Sequence, residues 1–235
     1  MKRLVQPELL DTLPPDDPRA LRSRRDLRRV NWWMGNHAIM ARALQNHSPA
    51  ALKRITELGA GDGHFLLRVL QKLQVGQASS LFSSAPKMAT LLDLQKNVSA
   101  KTMAAFASFG WQAEVLVTDV FDWLATPVAD EIIIANLFLH HFEDARLAEL
   151  LGKISCRAKL FIAVEPHRFA RPSLVGQLLW FIGCNDVTRH DAVISIRAGF
   201  AGREISTLWP DQTKWQLTER RSGPFSHLFV ARRLE

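Results

Sequence analysis

The sequence predicts a doubly wound α/β domain with a mostly parallel sheet, and three observations carry the prediction. The chain has 235 residues, 47% of them hydrophobic and 23% charged, which is enough apolar material for one large core and too little length for two ordinary enzyme domains. From Arg54 onward, short apolar runs alternate with segments of helical period, the pattern of strands covered by helices on both faces. A glycine-rich turn, Glu57-Leu58-Gly59-Ala60-Gly61-Asp62-Gly63, follows the first of those apolar runs and precedes a helical one, the position of a ligand loop in such a fold.

The elements follow in order. Pro18, after Asp16 and Asp17, marks the first turn of a helix that carries Arg19, Arg22, Arg24, Arg25, Arg28 and Arg29, with Leu21, Leu27, Val30, Trp33 and Met34 at roughly helical spacing. The net charge of +7 owes much to this segment. Its charges are expected to be a solvated face; attraction to an anionic membrane surface or to nucleic acid is left open. Asn36 to Leu44 continues as a second short helix, and Ser48-Pro49 offers a cap and a first-turn proline. Residues 1–48 are therefore expected as an N-terminal helical extension and 49–235 as the main domain.

Within that domain ITEL, ATLLDL, AEVLVTDV, EIIIANLFL and KLFIAVEP read as strands, and FLLRVLQKL, VSAKTMAAFASF and DARLAELLGKI as the helices between them. Gln77 to Ser84, rich in serine, reads as a surface loop. Residues 168–204 interrupt the alternation with an apolar helix, Leu174 to Ile182, and a polar string from Asn185 to Asp191; this stretch is a candidate substrate lid. His190 and Asp191 need not act as a pair, because consecutive helical residues diverge, and for Thr188 or Asp191 a helix-capping role stands beside a chemical one. KWQLTERRSGPFSHLFVARR forms two strands around Ser222-Gly223-Pro224 that pair antiparallel at the sheet edge.

The N-terminus lacks an uninterrupted apolar stretch of signal-peptide type, and nothing approaches the roughly 18 apolar residues of a membrane span, so a cytoplasmic location is the expectation. Cys156 and Cys184 lack metal-site spacing and are expected to be reduced core thiols.

Glycines at alternate positions let the backbone turn tightly and approach a ligand where a Cβ would collide. The spacing G-x-G-x-G, with His64 and Leu66 where a dinucleotide loop would continue, disfavours NAD. Asp93, at the end of the second strand, is placed to accept from a ribose diol, although it lies 30 residues past Gly63 where about 20 is usual for that motif.

At this point the chain resembles the class I S-adenosylmethionine-dependent methyltransferases, in particular the small-molecule branch that includes quinone-ring methyltransferases. ELGAGDG matches the family's first motif, with Glu57 at its acidic position. Asp93 falls at the ribose acid, Thr118-Asp119-Val120-Phe121 at the adenine-binding segment, and Ala135-Asn136-Leu137-Phe138-Leu139-His140-His141-Phe142 at the segment lining the methionine end. The resemblance covers roughly residues 50–235. It implies a Rossmann-like, seven-stranded fold and S-adenosyl-L-methionine as cofactor, with Glu57, Gly59, Ala60, Gly61, Gly63, Asp93, Leu94, Asp119, Val120, Asn136 and Leu137 as cofactor-binding residues.

Transfer to a hydroxyl needs a base, and His140 and His141 are the candidates because imidazole titrates near neutral pH. Either could instead only hydrogen-bond a loop. Glu165-Pro166-His167 is the second polar cluster, with His190 behind it. The tetrad Asn136-Leu137-Phe138-Leu139 departs from the Asn/Asp-Pro-Pro-aromatic pattern of adenine-amino enzymes, no cysteine matches a cytosine-5 nucleophile, and Glu165-Pro166 stands where metal-dependent catechol enzymes carry Asp-Asn; no metal is expected. Seven Trp, thirteen Phe and no Tyr leave Trp or Phe to stack on a flat acceptor, and Trp32 and Trp33 are placed either to close over cofactor or acceptor or to pack the added helix onto the core. The expected partner is a small aromatic or polyketide-like hydroxyl compound of the secondary-metabolite kind. RNA or protein methylation, and a non-catalytic cofactor-binding subunit, are the alternatives.

Overall fold

The computed structural model describes residues 2–14, 16–47, 52–75, 87–126 and 132–234. The expected Gln77–Ser84 loop and the Ser48-Pro49 cap lie outside them.

The N-terminal part forms three helices: α1 (Leu9–Thr12), α2 (Pro18–Met34) and α3 (Asn36–His47). Asp17 caps α2 by accepting from the Arg19 N–H, with Pro18 in the first turn, and Gly35 ends it in the left-handed region at φ 73°. There follow β1 (Arg54–Leu58), α4 (His64–Val75), β2 (Lys87–Asp93), α5 (Ala100–Ser108), β3 (Trp111–Val117), α6 (Val120–Leu124), β4 (Ile132–Asn136), α7 (Asp144–Arg157) and β5 (Leu160–Pro166). The chain ends with α8 (Ser173–Phe181), α9 (Asp186–Ala198), α10 (Glu204–Leu208) and the hairpin β6 (Trp215–Ser222), β7 (Ser226–Arg233).

One seven-stranded sheet results, in the order β3-β2-β1-β4-β5-β7-β6. The first five strands are parallel; β7 pairs antiparallel with β5 and with β6. Every residue of β4 and β5 is buried, as strands covered on both faces require, whereas β6 at the edge is largely open. Two apolar clusters sandwich the sheet. One joins α3 and α4 to the sheet through Met40, Leu44, Leu66 and Leu70; the other joins α6, α7 and α10 through Trp123, Leu151, Ile154 and Trp209. A third, smaller cluster joins Val30 of α2 to Val175 and Leu179 of α8 and Ile196 of α9.

The strand order reverses between β1 and β4, so the loops after these strands diverge and leave a crevice at the carboxyl edge, where ligands bind in such sheets.

Three local expectations change. Cys156 is exposed, and only Cys184 is a buried thiol. The polar string after α8 is the start of α9, capped by Asn185, whose side chain accepts from the Thr188 N–H. The buried side of α2 is largely polar: Ser23, Asp26 and Asn31 are buried while Leu21 is exposed, because this face meets α9 through hydrogen bonds from the Asn185 N–H to Asp26 (2.8 Å) and between Ser23 and Thr188 (2.9 Å).

Candidate active site

The glycine loop builds one half of the crevice from backbone. Gly59, Gly61 and Gly63 all take positive φ, at 67°, 56° and 72°. A Cβ at Gly59 would lie 2.4 Å from the Phe138 ring, so only glycine lets the loop pass the β4 segment. At Gly61 a Cβ would meet nothing within 4 Å and would project into the crevice. Gly63 faces inward instead, toward Leu91 and away from the cavity walls, and turns the chain into α4. Asp93 steadies the loop, accepting from the Gly61 N–H at 2.9 Å and from the Gln95 N–H at 2.8 Å.

Glu57, at the end of β1, is buried, and burial beside Asp62 holds its carboxyl well above the usual carboxylate range. Its Oε2 has no hydrogen-bond partner among the described residues although Glu57 lines the cavity. An orphaned buried carboxylate oxygen of this kind calls for a donor.

Two connected cavities fill the crevice. The outer one, about 460 Å³, runs past Gly61, Asp93, Leu94, Asp119, Val120 and Phe138. The inner one, about 190 Å³, runs past Glu57, Ala60, Asn136, Leu137 and His140. Gly59, Gly61, Leu137 and His141 line both. Every residue expected to hold the cofactor except Gly63 therefore lies on this one space. Asp119 also caps α6, accepting from the Phe121 N–H at 2.7 Å.

The segment after β4 builds the other half. Leu137 sits at φ 52°, a strained conformation for a residue with a branched side chain, and is held there by its N–H bond to the Val164 carbonyl (2.9 Å). It touches both crevice cavities and a third, apolar one of about 70 Å³, walled by Val30, Trp33, Val175, Leu179, Ala192 and Phe225. Strain at the junction of three cavities is the usual mark of a working site.

His140 and His141 differ sharply. His140 is buried in a single 3-10 turn, with Nδ1 2.8 Å from Glu165 and Nε2 3.3 Å from Glu8. Burial works against its charge, but the two carboxylates prevail and lift its pKa to about 9. Glu8 is correspondingly held at about 2: burial opposes its ionisation, and the His140 hydrogen bond and charge overcome that. A cationic imidazole with both N–H groups engaged has no lone pair to take a proton, so the expectation that His140 serves as base gives way to a structural role. Glu165 is likewise consumed by structure, its carboxylate accepting from the backbone N–H groups of Phe138 (3.0 Å) and Leu139 (2.9 Å) as well as from His140. His141 keeps its lone pair. Burial, aided by the His140 charge, lowers its pKa to about 4, and its Nδ1 lies 3.5 Å from Asp11.

The N-terminal segment supplies a wall that the sequence reading did not assign. Arg3 staples it to the core, donating to Asp144 (2.7 Å) and to the carbonyls of Phe142 (2.5 Å) and Ala198 (2.8 Å), with its guanidinium over the Phe200 ring. Asp191 accepts from the Leu9 and Leu10 N–H groups and so caps α1 from across the fold. Glu8, Leu10 and Asp11 are thereby brought onto the cavities. From α2, Arg28 pairs with Asp62 of the glycine loop at 2.6 Å and Arg24 donates to Gln95 at 2.9 Å. Two of the six arginines expected to be solvated, Arg24 and Arg28, thus wall the crevice. A buried amide triad fastens the extension to β4: Asn36 donates to Asn31 and Asn136, and Asn136 donates to Asn31, at 3.0–3.1 Å. Asn136 therefore lines the inner cavity with its amide already engaged.

The remaining candidates lie elsewhere. His167 stacks on His227 away from the cavities. His190 does contact Asp191, Nδ1 to Oδ1 at 3.0 Å, while the buried Asp191 carboxylate also accepts from the Leu9 and Leu10 N–H groups and so caps α1 rather than its own helix. Trp33 packs on Phe225 at 4.7 Å and lines the apolar cavity, whereas Trp32 points outward and covers nothing. Donor atoms of Glu8, His140 and His141 gather within 4.8 Å, but His140 has both ring nitrogens bound to carboxylates.

No protein-family model and no curated protein matches this chain in sequence. Solved structures do match in shape. The plantazolicin methyltransferase BpumL, in complex with S-adenosylhomocysteine, superposes with a TM-score of 0.62 at 12% identity over 93% of this chain and 92% of that one. The fold is that of the class I methyltransferases. An O-methyltransferase family protein from Burkholderia thailandensis (TM-score 0.60, 14% identity) and the mitomycin 7-O-methyltransferase MmcR (0.58, 16%) share it over 93% and 95% of this chain; each match takes in 60% of the other protein. The methyltransferase fold places the glycine loop, Asp93 and Asp119 along one crevice, and no described helix is long and apolar enough to cross a membrane.

Proposed function

We propose that the chain is an S-adenosylmethionine-dependent methyltransferase acting on a small, apolar hydroxyl compound, aromatic or polyketide-like. The observation that carries this reading is Glu57: a buried carboxyl with an unpartnered oxygen, set beside a glycine loop whose Gly61 leaves the crevice open, in a space that continues into an apolar cavity. A cofactor with a cationic ammonium group at one end answers that vacant acceptor. The residues present fit the rest of it: Asp93 faces a ribose, Asp119 and Val120 an adenine, and Leu137 the reacting end. When bound, S-adenosylmethionine supplies an activated methyl group, so the chain has to align, exclude water and manage one proton.

Alignment falls to the apolar cavity, which at about 70 Å³ takes one edge of the acceptor, together with the space it meets at Leu137, Glu8, Leu10, Leu27 and Ser195. The described part of the N-terminal extension, through Glu8 to Asp11 and α2, caps the crevice, and α8 and α9, within the 168–204 segment, wall the acceptor side. His141 accepts the proton of the acceptor hydroxyl at Nε2, since Nδ1 is turned to Asp11. With a pKa near 4 it is neutral at pH 7, and as a weak base it suits an acidic, phenol-like hydroxyl.

The test is calorimetry with S-adenosylhomocysteine on the parent and on Gly61→Val. A valine at positive φ with its side chain in the crevice should cut affinity by at least about 100-fold, roughly 2.7 kcal/mol, while circular dichroism shows a folded domain. Unchanged affinity in a folded variant, or tighter binding of NADH, would remove the reading. Efficient methyl incorporation into RNA would replace the small-molecule acceptor.

A further inference from the structure

Helix α8 is apolar on both sides. Val175 and Leu179 point inward to the acceptor cavity, while Leu174, Leu178 and Phe181, at positions i, i+4 and i+7, form an outward stripe with Trp180 beside it. Phe181 is 76% exposed and Trp180 59%, and the two rings meet edge to face at 5.0 Å. A surface helix with a second apolar face needs something to cover it.

The neighbouring face of α2 says what. Arg22, Arg25, Arg29 and Trp32 follow one another at three- and four-residue spacing and are all exposed, Trp32 at 77%. The two helices are in contact: Arg22 donates to the Gly183 carbonyl at 3.3 Å, and Val30 packs on Val175 and Leu179. Arg22 and Arg25 have no acidic partner among the described residues. Alongside runs a groove of about 1000 Å³ in which Trp32 and Ile182 are joined by Arg42, Arg68 and Lys72, with no acidic side chain on its walls.

We propose that this face docks on an anionic phospholipid surface. Aromatic and aliphatic side chains beside arginines are the composition of a protein face that lies in the headgroup region, with rings among the upper acyl chains and guanidinium groups on the phosphates. A second copy of the chain fits less well: a two-fold interface would bring this cationic patch, with no acidic side chain in its groove among the described residues, against an equally cationic one. Because the inner sides of the same two helices wall the acceptor cavity, docking places that cavity next to the bilayer. That last consequence, a lipophilic acceptor delivered from the membrane, rests on the methyltransferase reading; the docking does not.

The experiment is flotation of the full chain with vesicles of phosphatidylcholine alone and of phosphatidylcholine with phosphatidylglycerol, at low and high salt. Binding should favour the phosphatidylglycerol vesicles and weaken with salt. Arg22→Gln with Arg25→Gln, and separately Trp180→Ser with Phe181→Ser, should each lower the partition by about tenfold or more, while affinity for S-adenosylhomocysteine stays within about twofold of the parent. Loss of cofactor binding throughout, with vesicle binding intact, would sink the enzymatic reading and leave the surface assignment standing. The assignment itself is overturned by absence of binding to anionic vesicles, by binding that neither pair reduces, or by a parent dimer that Trp180→Ser with Phe181→Ser converts to monomer in light scattering.

Discussion

The two halves of the crevice are built by opposite means. Beside β1 the wall is backbone: Gly59 and Gly61 at positive φ, with Gly63 turning the chain into α4 behind them and Asp93 holding the Gly61 N–H. Beside β4 the wall is a buried charge network, in which Glu165 gathers the Phe138 and Leu139 N–H groups and, with Glu8, keeps His140 cationic. A backbone wall is fixed by local conformation and leaves its side open to a ligand. A charge network depends on partners distant in sequence: Glu8 lies 132 residues from His140, and Glu165 lies 25 away. Substitutions on the first side should therefore act on binding, and substitutions on the second on stability.

The largest effect is expected on the charged side. Glu165→Ala leaves three backbone donors and a buried imidazolium short of an acceptor, and removing one partner of a buried pair typically costs about 3–5 kcal/mol. Urea denaturation should show that loss. If stability changes by less than about 1 kcal/mol, the network is not what shapes this wall.

The same network sets a pH dependence. His140 rises from 6.5 to about 9 on folding, so its contribution is complete below pH 6.5 and is lost as pH rises through about 9. The shift corresponds to roughly 3 kcal/mol, at about 1.4 kcal/mol per unit. Glu8 works the other way: lowered from 4.5 to about 2, it contributes above pH 4.5 and loses that contribution as pH falls through about 2. Stability measured across pH should be greatest between these flanks, and Glu8→Gln should flatten both. An alkaline flank as steep in Glu8→Gln as in the parent would separate Glu8 from His140.

The contrast also explains what the sequence reveals. The alternation of strands and helices, the C-terminal hairpin and the glycine loop were legible because each is a local pattern, carried by period, turn residues and positive-φ demands within a few positions. The placement of Asp93 at the end of β2 and of Asp119 two residues past β3 was legible because both follow apolar runs that read as strands. Arg3, Glu8, Asp11 and the Asn31–Asn36–Asn136 triad were not, since nothing near them in sequence marks the contacts they make across the fold. His140 and His141 were expected to differ, as adjacent residues pointing in different directions, but which of them stays free was not legible for the same reason: they are told apart by Glu8 and Glu165. The one hint was Asn31 and Asp26 on a helix face that otherwise repeats apolar residues, a polar interruption that marks a hydrogen-bonded seam.

On catalysis the two histidines should separate. His141→Gln should lower turnover by about 100-fold, the usual weight of a general base, with cofactor affinity nearly unchanged. The parent's rate should rise with pH through about 4 and stay level above it, following His141, and that limb should vanish in the variant. A parent limb near pH 6.5 with no change in His141→Gln would place the base elsewhere, or leave the acceptor ionised without one.

The smallest effect, and the one that bears most directly on the backbone wall, belongs to Asp93. Its carboxylate has three duties: the Gly61 N–H inside the loop, the Gln95 N–H just past the strand, and the ribose side of the cavity. Asp93→Asn keeps one carbonyl oxygen for the loop but loses the charge, and hydrogen bonds to charged groups exceed neutral ones by about 1 kcal/mol. Affinity for S-adenosylhomocysteine should fall by about tenfold, with thermal stability close to the parent's. Methylthioadenosine, which has the ribose and lacks the amino-acid end, should lose affinity by the same factor. If its binding is unchanged while that of S-adenosylhomocysteine drops, Asp93 acts on the loop and the Glu57 end of the crevice rather than on the sugar, and the backbone wall depends on a side chain after all.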